Sequence, residues 1–371
     1  MNKAKVLYAI QGTGNGHICR AMDIVPLLRE RAEVDVLVSG IQADVELPFP
    51  VTYRFRGLSF IFGKKGGVDL LQTYRKSHLK KLLAEIRSLD LERYDLVISD
   101  FEPVSSWACY IRNKPCIALS HQAAVVDKKS PQARHVDPVG KNILKFYAPA
   151  PVRYGFHFKA YGDHIFTPVI RQQVRDADIT NKGHFTVYLP AYSDRRIIKM
   201  LSRYKGVKWE VFSKHFKHKV GVKDIDIFPI NSNEFIRSMA SSGGVLCGAG
   251  FETPAEALYL GKKLLVVPMK NQFEQHCNAA ALKDMGVPVM KSLKAKHAGI
   301  LGDWISSTES VTVDYPDITA DIIESIFRNH LPETTPVPAG RQPDALPASP
   351  DVSVKKLKAL TLQKIISKLA N

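Results

Sequence analysis

Along most of this chain, short β-branched runs alternate with longer stretches of helical periodicity, and this alternation restricts the fold more than any other feature. "KVLYAI" (5–10) precedes "RAMDIVPLLRER" (20–31) and "VDVLVSG" (34–40); "KSHLKKLLAEIRSL" (76–89) precedes "YDLVISD" (94–100) and "KPCIALS" (114–120). Strands separated by helices of this length predict βαβ units and a parallel sheet. A second alternation begins at "HFTVYLP" (184–190) and runs through "KWEVFS" (208–213), "GGVLCG" (243–248) and "KKLLVVPM" (262–269). The 371 residues also exceed the ~250 at which single cores stop growing. The expectation is therefore an α/β protein of two Rossmann-like domains, residues 1–170 and 184–330, joined by the polar hinge "RQQVRDADITNKG" (171–183).

Residues 331–350, "LPETTPVPAGRQPDALPASP", are proline-rich and read as an extended linker without chemistry. Residues 351–371 place Leu357, Leu360, Ile365 and Leu369 near one face of a lysine-rich helix. Such a basic amphipathic helix suits a membrane surface, a partner helix or the protein's own body.

A hydrophobic fraction of 45% with 24% charged residues is that of a soluble globular chain with a sizeable core. The net charge of +16 points to a negatively charged partner: a nucleotide-bearing substrate, an anionic membrane surface or nucleic acid. Aromatic residues are not interleaved with the basic clusters and no nucleic-acid motif occurs, so nucleic acid is set aside. The five cysteines are scattered and form no C-x-x-C pair, which indicates neither a disulfide framework nor a zinc site and fits a reducing cytoplasm. "VLYAI" is too short for a signal-peptide core, and no apolar run approaches the ~20 residues of a membrane span. The expected location is cytoplasmic, with peripheral contact at the inner membrane face.

The loop "QGTGNGHICRA" (11–21) follows the first strand. A dinucleotide fingerprint needs G-x-G-x-x-G, but after Gly12 and Gly14 the third glycine is Gly16, one residue early, and "VDVLVSG" ends in Ser39 and Gly40 where an acidic residue should hold a ribose. Both features argue against NAD. What the loop offers is backbone N–H groups at a helix N-terminus, which stabilise a phosphate or developing negative charge. His17 sits at the carboxyl end of the first strand, placed either to take a proton from an attacking hydroxyl or merely to top its helix. Asp100 ends "DLVISD" and His121 follows "CIALS"; both point to the same cleft, because open parallel sheets place their sites beyond the carboxyl ends of strands. Asp100 is a base itself or an orienting partner of His17. For His121 the alternatives are lining the acceptor side and capping the next helix.

The most specific stretch is residues 241–286, "SSGGVLCGAGFETPAEALYLGKKLLVVPMKNQFEQHCNAAALKDMG". Thr253 and Pro254 suit the N-cap and first position of a helix, and the amides of the Gly248–Thr253 loop can then face a diphosphate. Thr253-x-x-Glu256 reads equally as a capping box. The order Gly248, Gly250, Thr253, Glu256, Gly261, Pro268, Glu274, Gln275, Asn278 and Ala279, together with Gly14, Asn15, Gly16 and His17, resembles inverting GT-B glycosyltransferases over about residues 3–330. Similarity is greatest to the group containing the lipid-linked N-acetylglucosaminyltransferase of peptidoglycan synthesis.

That resemblance implies a GT-B fold with a cleft between its domains and metal-independent, inverting transfer of a sugar from a nucleotide diphosphate, UDP favoured, to an acceptor hydroxyl, lipid-linked or in the cell envelope. It implies no cofactor beyond the nucleotide-sugar co-substrate. Gly14, Asn15, Ser193, Gly248, Ala249, Gly250, Phe251 and Thr253 would meet the donor, with Ile230–Phe235 near the base. Glu256 would accept the ribose hydroxyls, Glu274 and Gln275 would grip the donor sugar, the alternative for that pair being a solvated helix start, and Asn278 would belong to the donor site as well. Gly16 and His121 would face the acceptor. Two departures stop short of that enzyme's substrate: Gln11 precedes Gly12 where it has adjacent glycines, and the donor signature is one residue shorter between Pro268 and Asn278. The D-x-D tripeptides in "DADIT" and "DIDIF" fall in the hinge and in a strand and read as no metal site. "GKKGG" near Lys64, "RRIIKMLSRYKGVK" (195–208), "KHFKHK" (214–219) and the terminal helix are candidate contacts to an anionic acceptor or membrane. The rivals are a non-hydrolysing UDP-sugar 2-epimerase and a non-catalytic nucleotide-sugar sensor.

Overall fold

The structure, a computed structural model, describes residues 3–40, 46–58, 62–63, 67–68, 79–133 and 138–331. Lys64 and the linker and terminal helix expected from residue 332 onward lie outside them.

The first half opens with β1 (Lys5–Gln11), α1 (Asn15–Arg31), β2 (Glu33–Ser39) and β3 (Tyr53–Phe55), then a two-residue antiparallel pair, β4 (Phe62–Gly63) and β5 (Gly67–Val68). It continues through α2 (Leu79–Ser88), β6 (Leu96–Asp100), α3 (Pro103–Arg112), β7 (Ile117–Ser120), α4 (His121–Val125), α5 (Pro138–Phe146), β8 (Val152–Phe156) and β9 (Ile165–Phe166). Seven of these strands form one parallel sheet in the order β3-β2-β1-β6-β7-β8-β9. Helices cover both faces, so Val6 to Ile10 are fully buried, which is why β1 reads as an unbroken apolar run.

After α6 (Gln172–Arg175) comes the second sheet. Its strands are β10 (His184–Tyr188), β11 (Lys208–Ser213), β12 (Val220–Val222), β13 (Ile225–Pro229), β14 (Gly244–Gly248) and β15 (Lys263–Val267), in the order β12-β13-β11-β10-β14-β15, with only β12 antiparallel. Its helices are α7 (Asp194–Leu201), α8 (Ser232–Ser241), α9 (Glu252–Tyr259), α10 (Phe273–Asp284) and α11 (Ala298–Ser306). In each sheet the chain builds outward one way and then the other from a central strand, β1 or β10. The strand order therefore reverses at β1/β6 and at β10/β14, the positions where open sheets hold their ligands.

Two segments need separate description. The segment between the halves carries a short helix: α6 buries Val174, and Arg171 precedes it with its side chain mostly covered. The last described helix, α12 (Thr319–His330), lies against the first half although it follows the second. Tyr315 donates a hydrogen bond to the Phe158 carbonyl at 3.0 Å, carrying the chain across. Arg31 then meets Glu324 at 3.1 Å and the Tyr154 hydroxyl meets His330 at 3.0 Å, while Ile322, Ile323 and Ile326 are buried.

Helix α4, which carries His121 and Gln122, rests directly on β8. A Cβ on Gly155 would lie 2.6 Å from the Ala124 backbone nitrogen, so only glycine lets this helix reach the sheet. Gly155→Ala is expected to lower stability by ~1–3 kcal/mol, measured by denaturant unfolding; an unchanged midpoint would show that α4 floats free of β8.

Candidate active site

Gly14, at φ 96°, turns the chain out of β1 in a conformation that glycine adopts freely, and α1 starts at Asn15. His17 thus sits in the first turn above the β1/β6 switch point. Asp100, the last residue of β6 and fully buried, meets it: His17 Nδ1 is 2.8 Å from Asp100 Oδ1. Arg20, one turn further along α1, donates from Nη2 to both Asp100 oxygens at 2.7 and 2.8 Å and from Nε at 3.1 Å. Its Nη1 reaches across to Glu252 of α9. Burial alone would raise the Asp100 pKa, but Arg20 and His17 offset this and hold the carboxyl below its usual range. Burial pushes Glu252 up to about 7, with Arg20 opposing and Glu256 and Asp100 reinforcing the rise.

His17, Arg20 and Glu252 line a cavity of about 390 Å³ between the two halves, with Asp100 buried behind them. On its far side α9 begins at Glu252, and no side chain caps it. Thr253 is therefore inside the first turn rather than at the cap, and the Thr253–Glu256 capping box does not form. The reason is Phe251, whose ring stacks on His121 at 3.9 Å between centroids, so the helical backbone already begins there. Glu256 is instead held by Arg171, which donates from Nε at 2.5 Å and from Nη2 at 2.8 Å to its two oxygens, and to Ser232 at 2.9 Å.

Glu274 and Gln275 open α10, and neither is a solvated helix start. Glu274 accepts from Gln122 Nε2 at 3.1 Å, and burial raises its pKa. Gln275 accepts from the Met269 amide at 2.9 Å, closing the loop after β15. Gln122 Nε2 also lies 3.4 Å from His17 Nε2. An apolar cluster of Val125, Phe273 and Cys277 closes the halves beside these contacts.

The cavity wall includes Gly14, Asn15, Gly16, Gly250, Phe251 and Thr253, but not Ser193, Gly248, Ala249 or Asn278. Ser193 is exposed at the N-cap of α7. Asn278 is fully buried, its carboxamide spent on the Ala249 carbonyl at 3.1 Å and on His121 at 2.8 Å, so it serves the cleft by holding the loop. His121 both touches the cavity and holds the two halves together. It lies at the edge of the cavity but is 1% exposed, donates from Nδ1 to the Phe156 carbonyl at 2.8 Å, and pins one half to the other; Ser120, not His121, caps α4. Gly16 earns its place differently as well, since a Cβ there would meet the Glu252 side chain at 3.0 Å. Asp176, Asp178, Asp224 and Asp226 of the D-x-D tripeptides do not line the cavity. Sequence reasoning missed Arg20, Gln122, Arg171 and Glu252. Only Arg20 left a signal, its three-residue spacing from His17 on one helix face.

Two Rossmann-like sheets with facing switch points and a cleft between them make up the GT-B fold. Residues 4–307 match the model of glycosyl transferase family 1, and the chain belongs to that family, whose chemistry is glycosyl transfer from a nucleotide sugar. No curated protein matches it by sequence. Among solved structures it is similar to Phytolacca americana UGT2, complexed with UDP-2fluoro-glucose and pterostilbene, at 12% identity and a TM-score of 0.55 over 89% of this chain and 95% of that one. It is also similar to Acinetobacter baumannii MurG, at 13% identity and a TM-score of 0.53 over 88% and 99%.

His121 makes a pH prediction. Burial lowers its pKa from 6.5 to about 3, against hydrogen bonds to Phe156 and Asn278 that favour the charged form. The unfolded chain binds this proton below 6.5 and the folded one only near 3, so stability falls as pH drops through that window. Melting temperature against pH is expected to decline more steeply in the parent than in His121→Gln; equal slopes would refute the assignment.

Proposed function

We propose that this enzyme is an inverting glycosyltransferase that moves a sugar from a UDP-sugar to an acceptor hydroxyl without a metal ion, with His17 as the base and Asp100 orienting it. The observation that carries this reading is the His17–Asp100 pair at 2.8 Å, facing the uncapped N-terminus of α9 across one cavity. His17 Nε2 takes the proton of the acceptor hydroxyl as its oxygen attacks the anomeric carbon, and the bond from that carbon to the diphosphate breaks. In-line geometry and a preorganised receptor for the developing charge supply most of the acceleration. The receptor is the first-turn N–H groups of Glu252 and Thr253, with the dipole of α9 behind them.

Glu256 accepts the ribose hydroxyls. Arg171 occupies only part of its acceptor capacity, since a carboxylate offers about four lone-pair sites. Tyr188, Phe212 and Phe235 line the end of the cavity next to Ile230 and Asn231 and supply rings against which a base stacks. Glu274 and Gln275 face the transferred sugar, and Phe101 and Leu144 form the acceptor wall near His17. The acceptor is anionic and lipid-linked, met at the inner face of a membrane from the cytoplasm. The net charge of +16 and the exposed Arg195, Arg196 and Lys199 of α7 support this, each basic side chain adding ~1 kcal/mol near an anionic surface. Among the described residues no helix is long and apolar enough to cross a membrane.

Thermal stabilisation by UDP, GDP, dTDP and their sugar conjugates tests the donor site. A ligand at about 100 times its Kd adds ~2.7 kcal/mol. UDP and a UDP-sugar are expected to stand out, and Glu256→Ala to erase the shift. His17→Ala is expected to keep that shift while lowering turnover by about 10²–10⁴. Stabilisation by no nucleoside diphosphate, or full turnover in His17→Ala, overturns the reading.

A further inference from the structure

We infer that Arg20 is a positioning residue for the His17–Asp100 pair, and that Glu252 of the facing half holds it there. The inference rests on the reading of His17 as the base. His17 and Arg20 leave the same face of α1 one turn apart, and Arg20 is 2% exposed. Its guanidinium is planar and only donates. Three of its N–H contacts end on Asp100, and Nη1 ends on Glu252, which leaves the fork no freedom to turn.

Two consequences follow for His17. Asp100 Oδ1 is shared between Arg20 Nη2 at 2.7 Å and His17 Nδ1 at 2.8 Å. A carboxylate only accepts, so the 2.8 Å contact calls for the proton on Nδ1. The donor-only Arg20 Nη2, 3.1 Å from the same nitrogen, then directs its N–H groups to the Asp100 oxygens, and Nε2 keeps a lone pair that also faces the Gln122 carboxamide at 3.4 Å. Charge is the second consequence. Arg20 neutralises Asp100 and places a permanent cation 3.1 Å from Nδ1. The other titratable groups acting on His17 are Glu252 and Glu274 across the cleft, both with raised pKa values, and the buried His121.

Glu252 extends this support to the donor half. It is the first residue of α9, the helix whose N-terminus receives the diphosphate in the proposal above. A short chain of contacts, α9 to Glu252 to Arg20 to Asp100, thus joins the leaving-group site to the base.

Long-range 1H–15N spectra of the histidine rings in the full chain test this without a substrate, with His17→Ala identifying the His17 signals. In the parent, His17 is expected to carry its proton on Nδ1. In Arg20→Gln, and in Arg20→Lys, which keeps the charge and loses the fork, the single tautomer is expected to give way to a mixture of Nδ1–H and Nε2–H forms. Should Arg20→Gln fail to fold, Arg20→Gln/Glu252→Gln removes the buried cation together with a carboxylate it faces, and the same loss is expected. A single Nδ1–H tautomer kept in a folded Arg20 variant, or an unprotonated Nδ1 in the parent, overturns the inference. If instead His17→Ala retained turnover of a UDP-sugar, the base reading would fall while the ring measurements stood.

Discussion

The buried cluster of Arg20 between Asp100 and Glu252 is the contact on which the closed cleft depends. Bringing such charges out of water costs several kcal/mol each, and mutual attraction returns that only when every hydrogen bond is made. Here the partners come from three separate elements: α1, the end of β6 and the start of α9. The cluster is complete only with the two halves together, because Glu252 is the single contribution from the second half. Separation would leave Arg20 with one carboxylate in place of two.

The sheet topology explains why these groups converge. In both halves the strand order reverses beside the central strand, which opens a crevice at the carboxyl edge. The halves face each other crevice to crevice, so short excursions after β1, β6, β14 and β15 populate one cavity. Weaker contacts then set the spacing: the stacked His121 and Phe251, the Gln122–Glu274 bond and the small Val125–Phe273–Cys277 cluster.

Much of this was legible in the chain itself. The alternating runs identify two parallel sheets, and a residue at the end of a buried strand, Asp100, must emerge near the loop after β1 that holds His17. The glycine loops are legible for the same local reason. Contacts between residues far apart in the chain were not. Arg171–Glu256 and Arg20–Glu252 join residues 85 and 232 positions apart, and no periodicity records such pairs. Thr253 illustrates a subtler failure, where local capping propensity yields to a ring stacked from the other half. Asn278 was placed at the site by the family resemblance and His121 by its position after a strand; that both also hydrogen-bond within the protein, joining the halves, is a long-range contact the chain does not record.

The return of α12 to the first half has a mechanical meaning. The polypeptide passes between halves twice, once before α6 and again near Tyr315, so the halves are tied by two strands of chain instead of one. Two connections restrict the twisting of one half against the other more than a single one would. That return also means that the chain arrives at Leu331 on the half bearing His17.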